Sequence, residues 1–452
     1  MSYWFDSLPD PIEVRRPLPG DTDADVVVVG AGFTGLWTAH YLLQADPHLR
    51  VVVIERETAG FGASGRNGGW CSALFATSPG KITATYGSGA EHLLRRALEA
   101  TVDEVASESQ ALGIDCHFKK GGTLQLARSP AQLARARAEV AEARALGVGE
   151  EDLRLLGATE ARAMAGATRV LGATYTPHCA AIHPARLARG LADAVERAGA
   201  VVYEQTPVLE IAKGRATTGM GTVRAPVVVR ATEGYSARLP ASSRDVIPFY
   251  SLMVATEPLP AAVLDEIGLS RGETFSDHRH LVIYGQRTLD DRIAFGGRGA
   301  PYHFGSRIRP SFDRDRRIHG LIHAALVDLF PTLKGAKITH RWGGPLGISR
   351  DWHPSVGFDR ASGLASAGGY VGDGVAVSNL AGRTLAALVT GSDDSCTRLC
   401  WVGHRSRSWE PEPLRWLGVN AGLKAMGVAD RTEERTGKPS RVASAMSSLL
   451  GG

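Results

Sequence analysis

A glycine turn between a buried strand and a helix, close to the N-terminus, constrains this chain most. Asp25-Val-Val-Val-Val29 is a short apolar, β-branched run, and Gly30-Ala-Gly32-Phe-Thr-Gly35 follows it directly. Helical periodicity continues from about Thr34 to Gln44, and a second apolar run covers residues 50–55. Buried strands of a parallel sheet have this β-branched composition, so the segment predicts a strand–helix–strand unit with parallel strands.

The spacing of the glycines predicts a dinucleotide site. The first glycine permits a tight turn, the second lets the backbone approach a pyrophosphate, and the third lets the helix pack closely on the strand. Phosphates are favoured at the helix start by unpaired N–H groups and the helix dipole. Glu55, at the end of the second strand, is placed to accept hydrogen bonds from a ribose. The predicted contacts are Gly30, Gly32, Phe33, Thr34, Gly35, Glu55 and Arg56.

Composition excludes several classes of protein. The 452 residues favour more than one domain, and 51 basic against 47 acidic residues leave a net charge of +4, without the basic face that nucleic-acid binding needs. There is no basic, apolar leader and no apolar run of about 18 residues, so we expect a cytoplasmic protein without a membrane span. Five cysteines form no CxxC pair, which predicts free thiols and no metal site.

A second glycine-dense segment, Gly60–Trp70, indicates that the dinucleotide is FAD and not NAD. It contains five glycines, which indicate a backbone pressed against a ligand. Ser64, Arg66 and Asn67 add polar groups that can reach phosphate or ring heteroatoms. A second glycine segment suits a long dinucleotide stretched across the domain, so the motif favours FAD. The predicted contacts here are Ala63, Ser64, Arg66, Asn67, Gly68 and Gly69.

Periodicity predicts the remaining elements. Helices are expected at 89–112, 131–146, 184–199, 310–330 and 377–390, and strands at 200–204 and 223–231. Alternation between 246 and 299 indicates antiparallel strands. Prolines exclude a helix from residues 1–24, and Trp342–Ser355 is predicted to be a loop.

Four motifs together identify a family. GAGFTG, GASGRNGG, ATEGY (Ala231–Tyr235) and GGYVGDGV (Gly368–Val375) resemble, in this order, the glycine/D-amino-acid oxidase superfamily of flavoenzymes, and its γ-glutamylputrescine oxidase-like branch most. The resemblance covers about residues 25–390. It implies an α/β (α+β overall) fold in which a Rossmann-like FAD-binding domain is interleaved with an antiparallel-sheet substrate domain.

The implied domains alternate along the chain. An N-terminal extension covers 1–24 and a C-terminal extension, expected to pack on the body, covers 391–452. The FAD-binding domain would take residues 25–110, 171–245 and 336–390, and the substrate domain residues 111–170 and 246–335.

The resemblance also implies further cofactor contacts. Asn67, Gly68 and Gly69 would lie near the isoalloxazine, and ATEGY would close the adenine side. A helix start after Gly369 would point its dipole at the pyrimidine edge of the flavin and favour negative charge there. The residues added in this way are Val208, Ala231, Thr232, Gly234, Gly344, Gly369, Gly372, Asp373, Gly374 and Val375.

Three positions depart from the pattern of the superfamily. Some members attach FAD to a His or Cys, but here Arg66 stands in the first segment and no Cys lies at 368–376, so FAD is expected to be non-covalent. Many relatives have His where Asp373 stands. Amino-acid oxidases hold the substrate carboxylate with an Arg after Trp-x-Gly, where this chain has Pro345 or Leu346. That favours an amine without an α-carboxylate, unless Arg341 or Arg350 substitutes.

The expected reaction is oxidation of a C–N bond in an amine or amino acid. Hydride would pass from the carbon beside a neutral amine to flavin N5, and the imine would hydrolyse. Aromatic walls would lower the pKa of the amine. The substrate-pocket candidates are Trp342, Tyr250 and Tyr284, with Trp70, Trp352 and Tyr370 as further aromatic candidates; His278, His280 and His353 are not assigned a catalytic role.

Two alternatives stay open at this point. Gly372-Asp373-Gly374 also resembles the Gly-Asp turn of FAD-dependent monooxygenases, which use NAD(P)H. A flavin-stabilised binding protein is the other alternative. The electron acceptor, O₂ or another, is open because Phe295-Gly-Gly-Arg298 lacks the Lys that many oxygen-using relatives carry. No nucleic-acid partner is expected, and the oligomeric state is not predicted.

Overall fold

The computed structural model of the protein describes residues 2–443, so residues 444–452 of the predicted C-terminal extension lie outside the described part. The helices are α1 (Tyr3–Asp6), α2 (Phe33–Ala45), α3 (Ala63–Arg66), α4 (Pro79–Tyr86), α5 (Ser88–Ala111), α6 (Pro130–Ala145), α7 (Ala158–Met164), α8 (Pro184–Arg197), α9 (Ala261–Ile267), α10 (Arg316–Leu329), α11 (Gly374–Thr390) and α12 (Leu414–Thr436).

The strands form four sheets. In chain order they are β1 (Thr22–Asp23), β2 (Val26–Val29), β3 (Val51–Ile54), β4 (Trp70–Ser72), β5 (Thr123–Ala127), β6 (Arg154–Gly157), β7 (Gly172–Thr176), β8 (Cys179–Ala181), β9 (Val201–Tyr203), β10 (Val208–Ala212), β11 (Arg215–Thr218), β12 (Thr222–Arg224), β13 (Val227–Arg230), β14 (Val246–Thr256), β15 (Thr274–Asp277), β16 (Ile283–Arg287), β17 (Ile293–Gly297), β18 (Ile338–Ser349), β19 (Ser355–Asp359) and β20 (Leu364–Gly368).

The predicted strand–helix–strand unit is the centre of a six-stranded sheet. The strand order is β19-β20-β13-β2-β3-β9, and all neighbours except β19 and β20 are parallel. Val26 and Val28 pack in one core with α2, α8 and α11, whereas Val27 and Val29 pack in another core with the small sheet β1-β12-β11-β10. The run of valines is apolar throughout because β2 is covered on both faces.

A second, eight-stranded sheet contains the segment predicted to be antiparallel. Its order is β18-β14-β17-β16-β15-β5-β7-β6, and only β15 and β5 are parallel. The predicted fold class, a Rossmann-like sheet interleaved with an antiparallel sheet, is therefore confirmed. Strands β7 and β18 both belong to this second sheet, where they pair with β5 and β14. They lie past the predicted boundaries at 170 and 335, in segments that were assigned to the FAD-binding domain. The division into domains stays a prediction.

The prediction of a loop at Trp342–Ser355 is wrong for its first half. Residues 338–349 form β18, which pairs with β14 along its length. Pro345 is tolerated because β18 is the edge strand of the sheet. Gly343 is required by packing, since a Cβ there would lie 2.1 Å from Leu252 Cδ2. The predicted strand 223–231 is likewise two strands, interrupted at Pro226.

The prediction that residues 1–24 contain no helix is wrong. Tyr3–Asp6 forms one turn, and the hydroxyl of Ser2 accepts a hydrogen bond from Phe5 N at its start. The helix ends before the first proline, Pro9, so the proline argument does not apply to it. Trp4 is 1% exposed, and its indole N–H donates to Asn67 O at 2.8 Å.

Helix α12 of the C-terminal extension packs on the connections that follow β15 and β17 of the second sheet. The carboxylate of Asp430 accepts hydrogen bonds from the backbone N–H groups of His280 and Leu281, at 2.7 and 2.9 Å. The amide of Asn420 donates to Tyr302 O at 3.0 Å. Among the described residues, no helix is both long enough and apolar enough to cross a bilayer.

Removing the Trp4 side chain should destabilise the protein, because it leaves a cavity among Tyr3, Ala185 and Trp342 and breaks the bond to Asn67. We expect Trp4→Ala to lose about 3–5 kcal/mol of stability, measured by urea denaturation. Leu289→Ala, at a side chain that is 70% exposed, is the control and should change stability by less than about 0.5 kcal/mol. Equal midpoints for the two variants would contradict the packing role of α1.

Candidate functional site

Each glycine of the first turn is required by a different contact. Gly30 has φ +107°, and a Cβ on it would lie 2.5 Å from Ala231 O, on the neighbouring strand end. A Cβ on Gly35 would lie 1.9 Å from Gly30 O, so only glycine lets α2 pack this closely on the turn. A Cβ on Gly32 would lie 2.8 Å from Ser64 Oγ. The N-terminus of α2 therefore lies at the carboxyl edge of the sheet, where a helix start stabilises an anion, and the N–H of Phe33 donates to Ser64 Oγ at 2.8 Å.

Glu55 follows β3 at the same edge. Its carboxylate accepts hydrogen bonds from Ala31 N and Glu57 N, both at 2.9 Å, which fixes its orientation. Burial raises the pKa of Glu55, and the two backbone donors act in the opposite sense. The sequence-predicted carboxylate is thus held beside the glycine turn.

A first cavity with an empty volume of about 1270 Å³ runs along this edge. It begins beside Glu55, passes the N-terminus of α2 and reaches the N-terminus of α11. Sixteen of the predicted cofactor residues line it: Gly30, Gly32, Phe33, Thr34, Glu55, Arg56, Ala63, Ser64, Asn67, Val208, Ala231, Thr232, Gly234, Gly372, Gly374 and Val375.

A second cavity, with an empty volume of about 1600 Å³, lies over the eight-stranded sheet. It shares four wall residues with the first cavity: Ala63, Asn67, Leu346 and Gly372. Five further predicted residues line only the second cavity, namely Arg66, Gly68, Gly344, Asp373 and Tyr284. The two cavities therefore meet where the glycine-dense segment passes the start of α11.

The other five predicted residues line neither cavity. Trp342 donates its indole N–H to Arg66 O at 2.9 Å and packs edge-on against Trp4. Tyr250 is fully buried against His303 and Phe312, and its hydroxyl accepts a hydrogen bond from Arg309 N at 3.3 Å. Both aromatic side chains lie behind the cavity wall. The remaining three are Gly35, under Gly30; Gly69, against Gln286 and Ile182 O; and Gly369, against Ser349.

The histidines that were left without a role also lie outside both walls. His280 contacts Glu433 at 3.0 Å, and His353 stacks on His404. His278 lies behind the far end of the second cavity, with its Nε2 3.9 Å from a carboxylate oxygen of Glu139.

Glu233 is the main residue of the first cavity that the motifs did not single out. It follows β13 inside ATEGY, and its Oε1 accepts a hydrogen bond from Tyr370 N at 3.0 Å. Burial raises the pKa of Glu233 to about 7. The hydroxyl of Tyr370 lies 2.9 Å from Thr34 Oγ1 and closes the same wall. The signal was available, because Glu233 follows a strand end as Glu55 does.

The second cavity contains charged side chains at the junction. Arg66 donates to Asp313 at 2.7 Å and to the hydroxyl of Tyr235 at 3.0 Å. Arg298 donates to Val371 O at 2.5 Å. Burial lowers the pKa of Arg298, and Asp373 acts in the opposite sense. Burial also raises the pKa of Asp373 to about 6, although Arg298 counteracts the rise.

The walls fit a bound FAD. The first cavity passes a carboxylate suited to a ribose and then the N-terminus of α2, which suits a pyrophosphate. It ends at the N-terminus of α11, beside the second cavity. Within residues 2–443, neither wall contains a Cys or His to which a flavin could be attached.

Comparison with known proteins identifies the family. The family described as "FAD dependent oxidoreductase" (DAO) matches residues 25–388. The gamma-glutamylputrescine oxidoreductase of Escherichia coli is 31% identical over 81% of this chain and 84% of its own length. The probable oxidoreductase OrdL of Haemophilus influenzae is 29% identical over 87% of this chain and 89% of its own length. The solved glycine oxidase of Geobacillus kaustophilus superposes with a TM-score of 0.70 at 24% identity, covering 85% of this chain and 99% of that chain.

The chain therefore belongs to the DAO family of FAD-dependent oxidoreductases, as the motifs predicted. The predicted reaction class, oxidation of a C–N bond in an amine or amino acid with non-covalent FAD, is confirmed at the level of this family. The alternative of an NAD(P)H-dependent monooxygenase is not favoured.

Gly30→Ala tests the first cavity. The added Cβ would meet Ala231 O at 2.5 Å and displace the turn from the pyrophosphate position. We expect the dissociation constant for FAD to rise at least about hundredfold, or about 2.7 kcal/mol, measured by fluorescence titration of flavin-free protein. Gly87→Ala is the matched control, because Gly87 also has a positive φ, +91°, but has no atom within 4 Å of its Cβ position. Equal FAD affinity in the two variants would contradict the assigned turn.

Proposed function

We propose that the protein oxidises an amine in the second cavity, with FAD in the first cavity and its reactive ring at the shared wall. The observation that carries this proposal is the meeting of the two cavities at Ala63, Asn67, Leu346 and Gly372. Bound FAD supplies a two-electron acceptor for the hydride from the carbon beside the nitrogen, which leaves an imine for water to hydrolyse.

The residues of the first cavity have separate roles in this proposal. Glu55 would accept the ribose hydroxyls, and the N-terminus of α2, where Thr34 lines the cavity, would lie beside the pyrophosphate. At the other end, the N-terminus of α11 at Gly374 supports negative charge on the ring. Asn67 fixes the conformation of residues 67–69 beside the proposed ring position, because its side-chain oxygen accepts a hydrogen bond from Gly69 N at 2.7 Å.

The walls of the second cavity favour an amine over an α-amino acid. The superfamily's Arg position holds Pro345 or Leu346, which are apolar. Arg350 is paired with Glu410, and Arg341 is exposed at the other end of β18. The two guanidinium groups that do line the cavity are engaged, since Arg66 is paired with Asp313 and Arg298 interacts with Val371 O and Asp373. Among the described residues that line the cavity, no guanidinium group is therefore free to bind a carboxylate in a bidentate manner.

The reacting nitrogen must lose its proton before it can release hydride. Tyr284, Trp70 and Trp352 line the cavity and provide apolar surface that lowers the pKa of a bound amine. Asp373 is the carboxylate beside the junction, and its pKa of about 6 makes it a base of suitable strength near neutral pH. We assign it the role of holding the proton that the substrate ammonium gives up. We take O₂ as the final electron acceptor.

Anaerobic mixing of the FAD-loaded protein with primary and secondary amines tests the reaction. We expect at least one amine to bleach the visible flavin band, whereas the corresponding α-amino acids bleach it at least about tenfold more slowly. Admission of air should restore the band and release hydrogen peroxide. Failure of every amine and amino acid to bleach the band would refute the proposed function. Bleaching that only a dye, and not air, reverses would refute the assignment of O₂.

Asp373→Asn tests the proton acceptor. Because the base must be ionised, kcat/KM of the natural chain should rise as the pH increases through about 6. In the variant, the rise of kcat/KM near pH 6 should disappear. Only the rise that follows ionisation of the free amine should remain in the pH profile. Asp393→Asn, at a side chain that is 92% exposed, should keep the step and serves as the control. An unchanged profile in Asp373→Asn would remove Asp373 from the mechanism.

A further inference from the structure

The second cavity is elongated across the eight-stranded sheet. Its floor takes alternate residues from successive strands, as one face of a sheet must: Ser251 and Met253 on β14, Thr123 and Gln125 on β5, Thr174 and Thr176 on β7, together with Tyr284 on β16 and Ser276 on β15. In the strand order, β7 is three steps from β16. At about 4.8 Å a step, the floor at Thr174 lies about 14 Å from the floor at Tyr284.

Glu139 of α6 lines the far end of this cavity. Helix α6 packs against β5, β6 and β7, and Thr174 Oγ1 lies 3.5 Å from Glu139 Oε2. The side chain of Glu139 is 43% exposed, and Leu74, which lines the same cavity, is 46% exposed. The cavity therefore opens to solvent beside them, and Glu139 stands at its mouth.

The Glu139 carboxylate has no cationic partner among residues 2–443. The basic group nearest to it is His278, with Nε2 at 3.9 Å. Burial lowers the pKa of His278 to about 4, so this imidazole is neutral at physiological pH. The partial burial of Glu139 raises its pKa to about 7, and the neighbouring carboxylate of Glu142 acts in the same sense, so a cation bound beside Glu139 would favour its charged form.

The charges at the other end of the cavity balance one another. Arg66 is paired with Asp313, and Arg298 faces Asp373. The unbalanced charge of the cavity is thus one carboxylate, beside Thr174, whose position on the floor is about 14 Å from that of Tyr284. Hydroxyl and amide groups on the intervening floor, at Ser276, Gln125 and Thr176, suit a chain that carries polar groups.

We propose that Glu139 forms a subsite for a second cationic group of the substrate, an ammonium or a guanidinium at the end of the molecule remote from the reacting nitrogen. The substrate class is then a diamine or a longer polyamine-like cation, bound with one nitrogen at the junction and the other at the mouth. This proposal deepens the proposed function and rests on its placement of the reacting nitrogen.

The test compares n-alkylamines with α,ω-diaminoalkanes of four to twelve carbons on the FAD-loaded enzyme. Binding is measured by anaerobic calorimetry, and KM and kcat are measured separately. For the best-fitting length, we expect the diamine to have a KM about tenfold below that of the monoamine of equal length, with similar kcat, as befits a hydrogen bond to a charged group. The preference for the diamine over the monoamine should increase with chain length until the second ammonium group reaches Glu139.

Three variants make the test specific. Glu139→Gln should bring the ratio of the two KM values to about one and leave the KM of the monoamine unchanged. Glu139→Lys should reverse the preference, so that ω-amino carboxylates bind more tightly than diamines. Glu266→Gln, at an exposed carboxylate of α9, should keep the preference of the natural chain.

The outcomes separate the two proposals. Oxidation of amines without any preference for diamines, or a preference that survives Glu139→Gln, would overturn the subsite and leave the proposed function intact. Glu139-dependent binding of diamines, combined with failure of every amine and amino acid to bleach the flavin, would support the subsite and refute the proposed function. Absence of diamine binding in the calorimeter would overturn the subsite outright.

Discussion

The approach of Gly30 to the carbonyl oxygen of Ala231 sets the position of both cavities. Strands β2 and β13 are parallel neighbours in register, so Val29 and Arg230 end side by side and the chain must turn away from the sheet at both ends. Because a side chain at Gly30 would strike Ala231 O, the two turns can lie this close only with glycine. Glu55 and Glu233, which follow two strands of the same edge, are brought to one cleft by this arrangement.

The segment 66–69 joins the cleft to the second sheet through its backbone carbonyls. The indole N–H groups of Trp342 and Trp4 donate hydrogen bonds to Arg66 O and Asn67 O. The side-chain amide of Gln286 donates to the carbonyl oxygens of Gly68 and Gly69. Trp342 and Gln286 belong to β18 and β16, so the second sheet fixes the segment that lines the shared wall. Trp342, predicted to face the substrate, acts on the site through this backbone instead.

Local features of the sequence were sufficient for the part of the first cavity that residues 30–67 form, whereas the contacts from Val208 onward followed from the family resemblance and Glu233 was missed. The glycine turn, Glu55 and the segment from Gly60 depend on neighbours in sequence, and their conformations follow from turns and helix starts that short motifs encode. The edge strand β18 was not predictable in the same way, because its pairing with β14 joins residues that are far apart in the chain, and glycines and a proline hid its pattern. Glu139 was missed because Ala131–Leu146 has the composition of a solvated helix, and only the sheet below shows which of its carboxylates faces a cavity.

The first cavity is assembled from both ends of the chain, which has a consequence for biosynthesis. One wall comes from residues 30–67 and the opposite wall from Gly374, Val375 and Ser378 at the start of α11. Helix α11 also packs directly on α2, where a Cβ on Gly382 would lie 2.6 Å from Trp37 Cβ. A ribosome must therefore have made more than four-fifths of the chain before the cleft is closed. A cofactor can therefore be enclosed only after residues 374–378 have been added, whereas the glycine turn itself is complete within the first tenth of the chain.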